Sequence, residues 1–185
     1  MVRGVVHGGF FVLRHDGAIP QAQAQRVCAQ GAQGIEAVHV IQFTIPGMPK
    51  GKGRPRFVKA TGASYTPQDT ANYENWVKVC YLNAKQEKIE GADTPISATI
   101  YAYYPIPKST TKANRAAMEQ FKIRPTKKPD CDNIIKIILD SLNGIAFDDD
   151  KQVVEITMLK QYTPREPEVL VVLRTIDQEE GRKTH

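Results

Sequence analysis

Cysteine is scarce and scattered. Cys28, Cys80 and Cys131 form no CxxC pair and have no histidine at zinc-ligand spacing, which excludes a zinc ribbon or a disulfide framework and fits reduced thiols. Histidine is nearly as sparse: His7, His15, His39 and His185 all lie away from the acidic stretches at 130–132 and 148–150, so no histidine general base is assigned. Long apolar runs are missing too, none approaching the ~20 residues that span a bilayer. The stretch Val5 to Leu13 is broken by His7, Gly8 and Gly9 and followed closely by Arg14 and Asp16, so no signal peptide and no membrane association are expected. Extreme charge is absent as well. There are 25 Lys and Arg against 20 Asp and Glu, a formal +5, a mild bias toward anionic partners that does not by itself name nucleic acid.

What is present is enough for a core. The 185 residues are 41% hydrophobic and 24% charged, which rules out wholesale disorder and suits one domain with an appendage. Residues 1–38 are rich in Gly, Ala and Gln without a sustained period, and are expected to be a poorly ordered leader. Residues 39–176 form the expected domain, and 177–185 a polar tail. A β-rich run from His39 to Ile45 is stopped by Pro46-Gly47. Thr66-Pro67-Gln68-Asp69 reads as a helix start, with Thr66 as cap and Pro67 at the first helical position. In that helix Tyr73, Trp76, Val77, Cys80 and Ala84 follow helical spacing and are expected to face the core.

Ile96 to Tyr104 is a second strand, and Ser109 to Lys122 a short polar helix. Asp132 to Asn143 is a well-patterned helix closed by Gly144, and Gln152 to Tyr162 and Val169 to Thr175 are two further strands. Four strands and three helices in mixed order predict a single α+β domain, a mixed four-stranded sheet with helices packed on it.

The chemistry concentrates in Lys127-Lys128-Pro129-Asp130-Cys131-Asp132-Asn133 and in the helix that this segment opens. On a helix Asp132, Lys136, Asp140 and Asn143 share one face, while Ile134, Ile135, Ile138, Leu139 and Leu142 cover the opposite one. Asp130 falls at or just before the first turn. Asp148, Asp149 and Asp150 then stand together before a strand, where their mutual repulsion calls for a cation. Hard oxygen donors without Cys or His suit Mg²⁺, with Mn²⁺ as a substitute, rather than Zn²⁺. Plainer readings exist for each piece: an acid before a helix is commonly a cap, Lys136 and Asp140 are spaced as a surface pair, and an acidic triplet is commonly a solvated turn.

Carboxylate-bound metal with a lysine beside it is what phosphodiester hydrolysis needs, and Lys136 sits one turn from Asp132. Two basic stretches flank the acids. One holds Lys50, Lys52, Arg54, Arg56 and Lys59 in a Gly/Pro-rich segment expected to be a flexible loop; the other holds Arg115, Lys122, Arg124, Lys127 and Lys128. Such segments suit contact with a phosphate backbone. A P-loop is excluded, because Gly47 to Gly53 has the wrong spacing and no Ser or Thr after the lysine. Trp76, Tyr103 and Tyr104 read as core or sheet residues, and Lys160 as an accessory to the site or a solvent-facing residue.

These motifs together resemble the RusA-type Holliday junction resolvases, common in bacteria and their prophages. The matching pieces are Ile45-Pro46-Gly47 with the Lys-Gly-Arg-Pro-Arg-Phe segment, Tyr65-Thr66-Pro67, Lys128 to Asn133, Lys136, Asp140 to Gly144, and Asp149-Asp150-Lys151-Gln152-Val153. The resemblance covers roughly Val38 to Thr175. It implies a cytoplasmic, homodimeric, Mg²⁺-dependent endodeoxyribonuclease that places paired nicks in four-way DNA junctions during recombination and repair. It further implies Asp130, Asp132 and Asp150 as metal ligands, with Asp149 as a rival to Asp150, and Lys136 as the lysine near the scissile phosphate. Lys50, Lys52, Arg54, Arg56, Lys127 and Lys128 are the expected DNA contacts. The alternative is a catalytically silent protein that binds branched DNA.

Overall fold

The computed structural model describes residues 38–57 and 64–176; the proposed leader and tail lie outside the described residues. Strand β1 (Val40–Pro46) alternates exposed and buried residues, so Ile41, Phe43 and Ile45 face inward. A short hairpin comes next, β2 (Arg56–Phe57) against β3 (Ser64–Tyr65). It leads to helix α1 (Gln68–Asn83), strand β4 (Ile96–Pro105), helix α2 (Lys112–Glu119) and helix α3 (Cys131–Leu142). A 3₁₀ turn (Asp150–Gln152) then leads into β5 (Val153–Thr163), and β6 (Glu168–Thr175) completes the domain.

The sheet order is β1-β6-β4-β5. Strand β6 is antiparallel to both β1 and β4, whereas β4 and β5 are parallel. This is the expected α+β domain with a mixed four-stranded sheet. A parallel pair needs a long crossover, and here the connection carries both α2 and α3. The core is built from the inward residues of β1, β4 and β6 with Tyr73, Val77 and Tyr81 of α1 and Ile134, Ile137, Ile138 and Leu142 of α3.

Several boundaries differ from the sequence reading, each for a local reason. Helix α1 begins at Gln68, because Pro67 is extended (φ −54°, ψ 139°) and its carbonyl accepts from Thr70 and Ala71, with no side-chain cap from Thr66. Helix α2 is shorter than expected, starting after Thr111, whose hydroxyl accepts from the Asn114 N–H at 3.3 Å. On α1, Trp76 is not a core residue: it is 42% exposed and donates its indole N–H to the Pro46 carbonyl at 3.0 Å. The hairpin of β2 and β3 has no counterpart among the expected elements. Helix α3 does stop as expected, with Gly144 at φ +77°, a conformation costly for residues bearing a Cβ.

The strand expected from Gln152 starts instead at Val153, because Gln152 is a buried fastener. Its side-chain oxygen accepts from the N–H groups of Asp148 (2.9 Å) and Asp149 (3.0 Å), and its amide donates to the carbonyls of Gly91 (2.8 Å) and Thr94 (3.1 Å). Gln152 is 4% exposed, so all four bonds are sheltered from water. Replacing Gln152 with Leu is expected to cost about 2–4 kcal/mol, since two donors and two acceptors lose their partner at once. Urea denaturation checks this; a loss below about 0.5 kcal/mol would show that the turn is held by other contacts.

Candidate active site

The apolar face of α3 decides where its polar residues point. Ile134, Ile137, Ile138 and Leu142 have no exposed surface, and the helix packs on α1 and β5. Asp132 and Lys136 are left on the exposed side, and Asp140 half-buried. Asp130 occupies the cap position in an extended conformation (φ −72°, ψ 155°), yet its carboxylate makes no capping hydrogen bond. Neither Asp130 nor Asp132 takes part in a salt bridge among the described residues, and Asp132 accepts only a long bond (3.4 Å) from the Asn133 amide. An acid at a helix start that does not cap the helix has its oxygens available for a ligand. The simple capping role is therefore not the one Asp130 plays.

The basic loop is docked on this helix head, contrary to the flexible loop read from its glycines and prolines. The N–H of Lys52 donates to the Asn133 carbonyl at 2.8 Å, and the N–H of Gly53 to the Thr70 hydroxyl at 3.2 Å. At Gly51 the backbones approach so closely that an added Cβ would lie 2.8 Å from Cβ of Pro129 and 2.9 Å from Cβ of Asn133. The glycines thus serve contact, not mobility. The charge of Lys52, an expected DNA contact, is already engaged by acids. Its ammonium bridges Glu74 of α1 and Asp140 of α3, the latter at 2.8 Å. Burial alone would lower its pKa, but hydrogen bonds and charge from Asp140 and Glu74 outweigh that and hold it above the usual lysine value. Asp140 is thereby paired with Lys52, and no Lys136–Asp140 ion pair forms.

Between loop and helix head lies an open groove of about 690 Å³, lined by Lys50, Gly51, Lys52, Arg54, Asp69, Lys128, Pro129, Asp130 and Asn133, with Pro49. Lys50, Arg54, Lys127 and Lys128 are exposed. The side chain of Arg56, the remaining expected contact, lies outside what the structure describes. Lys160 of β5 donates to the carbonyls of Lys127 and Pro129, the latter at 2.9 Å, with its ammonium 5.5 Å from the Tyr104 ring centroid.

The second acid cluster sits elsewhere. Strand β5 runs from Asp150 at its entry to Lys160 beside Pro129, and Val153 to Lys160 alone spans about 23 Å at ~3.3 Å per residue. Helix α3, about 16 Å from first to last residue at ~1.5 Å per residue, separates Asp130 from the acidic turn in the same way. Among the described residues no three acids, cysteines or histidines form a metal-holding group. The turn's charge is neutralised locally instead. Asp148 pairs with Lys88; Asp149 accepts from the Lys151 N–H at 3.1 Å, which with the nearby Lys151 charge lowers its pKa. Asp149 is thus a capping acid, while Asp150 is exposed and in no salt bridge among the described residues. Hard, unpaired oxygens on Asp130 and Asp132 fit a divalent ion in kind, but the expected cup of Asp130, Asp132 and Asp150 is not assembled within one chain.

The groove and helix head lie within the segment that comparison with known proteins picks out. The family model described as Endodeoxyribonuclease RusA matches residues 46–174. The chain belongs to the RusA endodeoxyribonuclease family. It is also 36% identical over 139 residues to the uncharacterized protein YqaN of Bacillus subtilis (strain 168), covering 74% of this chain and 96% of that protein. Among the described residues no helix is long and apolar enough to cross a membrane.

Sequence reasoning misses Glu74 as the partner of Lys52, and misses Gly51, Gln152 and the clamp made by Lys160. Only Gln152 leaves a signal, since it stands three positions after Asp149, the spacing of a capping box. Beneath the helix head the buried hydroxyl of Tyr104 has no hydrogen-bond partner among the described residues. Burial, with repulsion from Cys131 and Tyr73, pushes its pKa up to about 12 from 10.0. Above pH 10 the unfolded tyrosine loses its proton while the folded one keeps it. This contribution to stability is therefore complete below pH 10 and declines as pH rises toward 12. Tyr104→Phe is expected to melt no lower than wild type at pH 7 and to lose less stability between pH 10 and 12; thermal melts across that range decide it. An equal alkaline loss in the variant would place the titrating group elsewhere.

Proposed function

We propose that this protein is a structure-specific endodeoxyribonuclease that resolves four-way DNA junctions by Mg²⁺-dependent phosphodiester hydrolysis in recombination and repair, working in the bacterial cytoplasm. The observation that carries the reading is the groove itself, whose lining joins Asp130, an acid that makes no capping bond, with Lys50, Arg54 and Lys128. Membership in the RusA family supports the nuclease class and the junction as substrate.

In this reading the exposed cations hold the DNA backbone along the groove, and a phosphodiester is set at the head of α3. Asp130 and Asp132 would hold Mg²⁺, which when bound supplies charge neutralisation and an activated water. Lys136, exposed on the same side of α3 as Asp132, offsets charge developing on the phosphoryl oxygens. A water oxygen bonds to phosphorus and the P–O3′ bond breaks. The products are a 5′ phosphate and a 3′ hydroxyl.

A homodimer gives Asp150 a place in this scheme. Strand β5 is an edge strand whose entry half leaves Val154 62% and Ile156 46% exposed, an uncovered apolar edge. Antiparallel pairing of two such edges about a two-fold axis would exchange their ends. Asp150 of one copy would then stand near Asp130 and Asp132 of the other, giving two equivalent sites for two matched incisions.

The absence of a three-acid cluster among the described residues favours a second reading, a catalytically silent branched-DNA binder. Nicking of a synthetic four-way junction with Mg²⁺ or Mn²⁺, beside linear duplex, separates the two. Asp132→Asn is expected to abolish nicking while junction binding stays intact or tightens. Wild-type protein that binds junctions but never nicks them would establish the silent reading instead. Neutralising Lys50 and Arg54 together is expected to weaken binding and flatten its salt slope by up to about two. An unchanged slope in a filter-binding titration would remove the groove from the DNA interface.

A further inference from the structure

We propose that Lys160 is a positioning residue for the nuclease site, holding the Asp130 carboxylate at the groove by clamping the main chain that leads into it. This role rests on the reading of Asp130 as a functional carboxylate.

Lys160 lies on β5 opposite Ala102 of β4, on the face of the sheet that the helices cover. A strand lysine so close to an edge ordinarily extends its ammonium into water. Here it donates to two main-chain carbonyls, those of Lys127 and Pro129, and its charge lies 5.5 Å from the centre of the Tyr104 ring. No carboxylate pairs with it among the described residues. Its donors are directed at the segment immediately before Asp130.

That segment has little else to fix it. Neither carbonyl takes part in a backbone–backbone bond outside regular elements, and Pro129 has no N–H to donate. Gly51 also packs closely on the Pro129 side chain. Pro129 is thus held by both the basic loop and Lys160, and Asp130 is the next residue. A carboxylate that must meet a phosphoryl group or a metal loses its effect when displaced by about 1 Å, and groups that orient such ligands act through that distance.

The test compares Lys160→Met, which keeps the length and apolar stem but removes the donors, with Lys160→Arg, which restores charge and donors. Three measurements are made on the full chain: trypsin cleavage after Lys127, junction binding across a salt series, and single-turnover junction cutting with Mg²⁺. In Lys160→Met, cleavage after Lys127 is expected to rise at least about tenfold as the segment opens. Cutting is expected to fall about 10- to 100-fold, while the dissociation constant and salt slope stay at wild-type values. Lys160→Arg should recover most of both losses. Unchanged trypsin sensitivity overturns the clamp. So does a salt slope lowered by about one, because Lys160 would then be a phosphate contact. Should wild type cut no junction, the nuclease reading fails, and the trypsin comparison still decides whether Lys160 holds the segment. Should Lys160→Met not fold, Lys160→Leu, which also lacks donors, takes its place in the same measurements.

Discussion

The burial of one face of α3 is the constraint on which the rest of the molecule depends. Ile134, Ile137, Ile138 and Leu142 are fully enclosed, and at roughly 1.5–3 kcal/mol per aliphatic side chain they contribute about 6–12 kcal/mol. That is comparable to the whole net stability of a domain, so the helix cannot rotate without unfolding the core. Everything polar on α3 inherits its direction from this. Asp132 and Lys136 are turned outward, Asp140 is turned toward Lys52, and the Asn133 carbonyl is offered to the basic loop. The loop docks there only because Gly51 has no side chain to collide with Pro129 and Asn133. Apolar packing on one side of a helix therefore sets the position of cations on the other.

The fold is largely legible in the sequence because its signals are periodic. Alternation along β1 and β4, the spacing of isoleucines on α3 and the glycine after Asn143 each report a backbone period or a conformational need that a single sequence displays. What is not legible depends on partners distant in the chain. Nothing local announces that Lys52 will commit its charge to Glu74 and Asp140, or that Trp76 will bind a carbonyl at the end of β1 instead of entering the core. The basic segment misleads for a related reason. Gly and Pro mark both mobile loops and loops pressed tightly against a neighbour, and only the neighbour tells them apart. A residue that holds main chain through hydrogen bonds, as Lys160 does, carries no motif at all.

The acids sort into two groups by what neutralises them. Three consecutive aspartates before a strand raise the expectation of a metal, yet Lys88, Lys151 and the N–H groups around the turn meet most of that charge. Gln152 organises the turn without any cation, by accepting from two of its N–H groups. Only Asp150 is left outside the turn's salt bridges and capping bonds among the described residues. Asp130 shares the groove lining with cations, yet neither it nor Asp132 forms a salt bridge among the described residues. A cluster of acids is a weak signal in itself. An acid that declines the partner nearest to it is a stronger one.

Lys52 shows how the groove proposed as the DNA surface is kept in shape. Among the loop cations whose side chains are described, Lys52 is tied to two acids on two helices, which anchors the loop, while Lys50 and Arg54 are exposed. A loop fixed before the ligand arrives loses little conformational freedom on binding, so less of the attraction between its charges and a phosphate backbone is consumed in ordering it. The same fixation holds for the approach to Asp130, where Pro129 is contacted by both Gly51 and Lys160. In the proposed reading, binding and chemistry draw on separate groups: exposed cations for attraction, and a clamped carboxylate for position. A change in one can leave the other intact, because the two share a scaffold and no side chain.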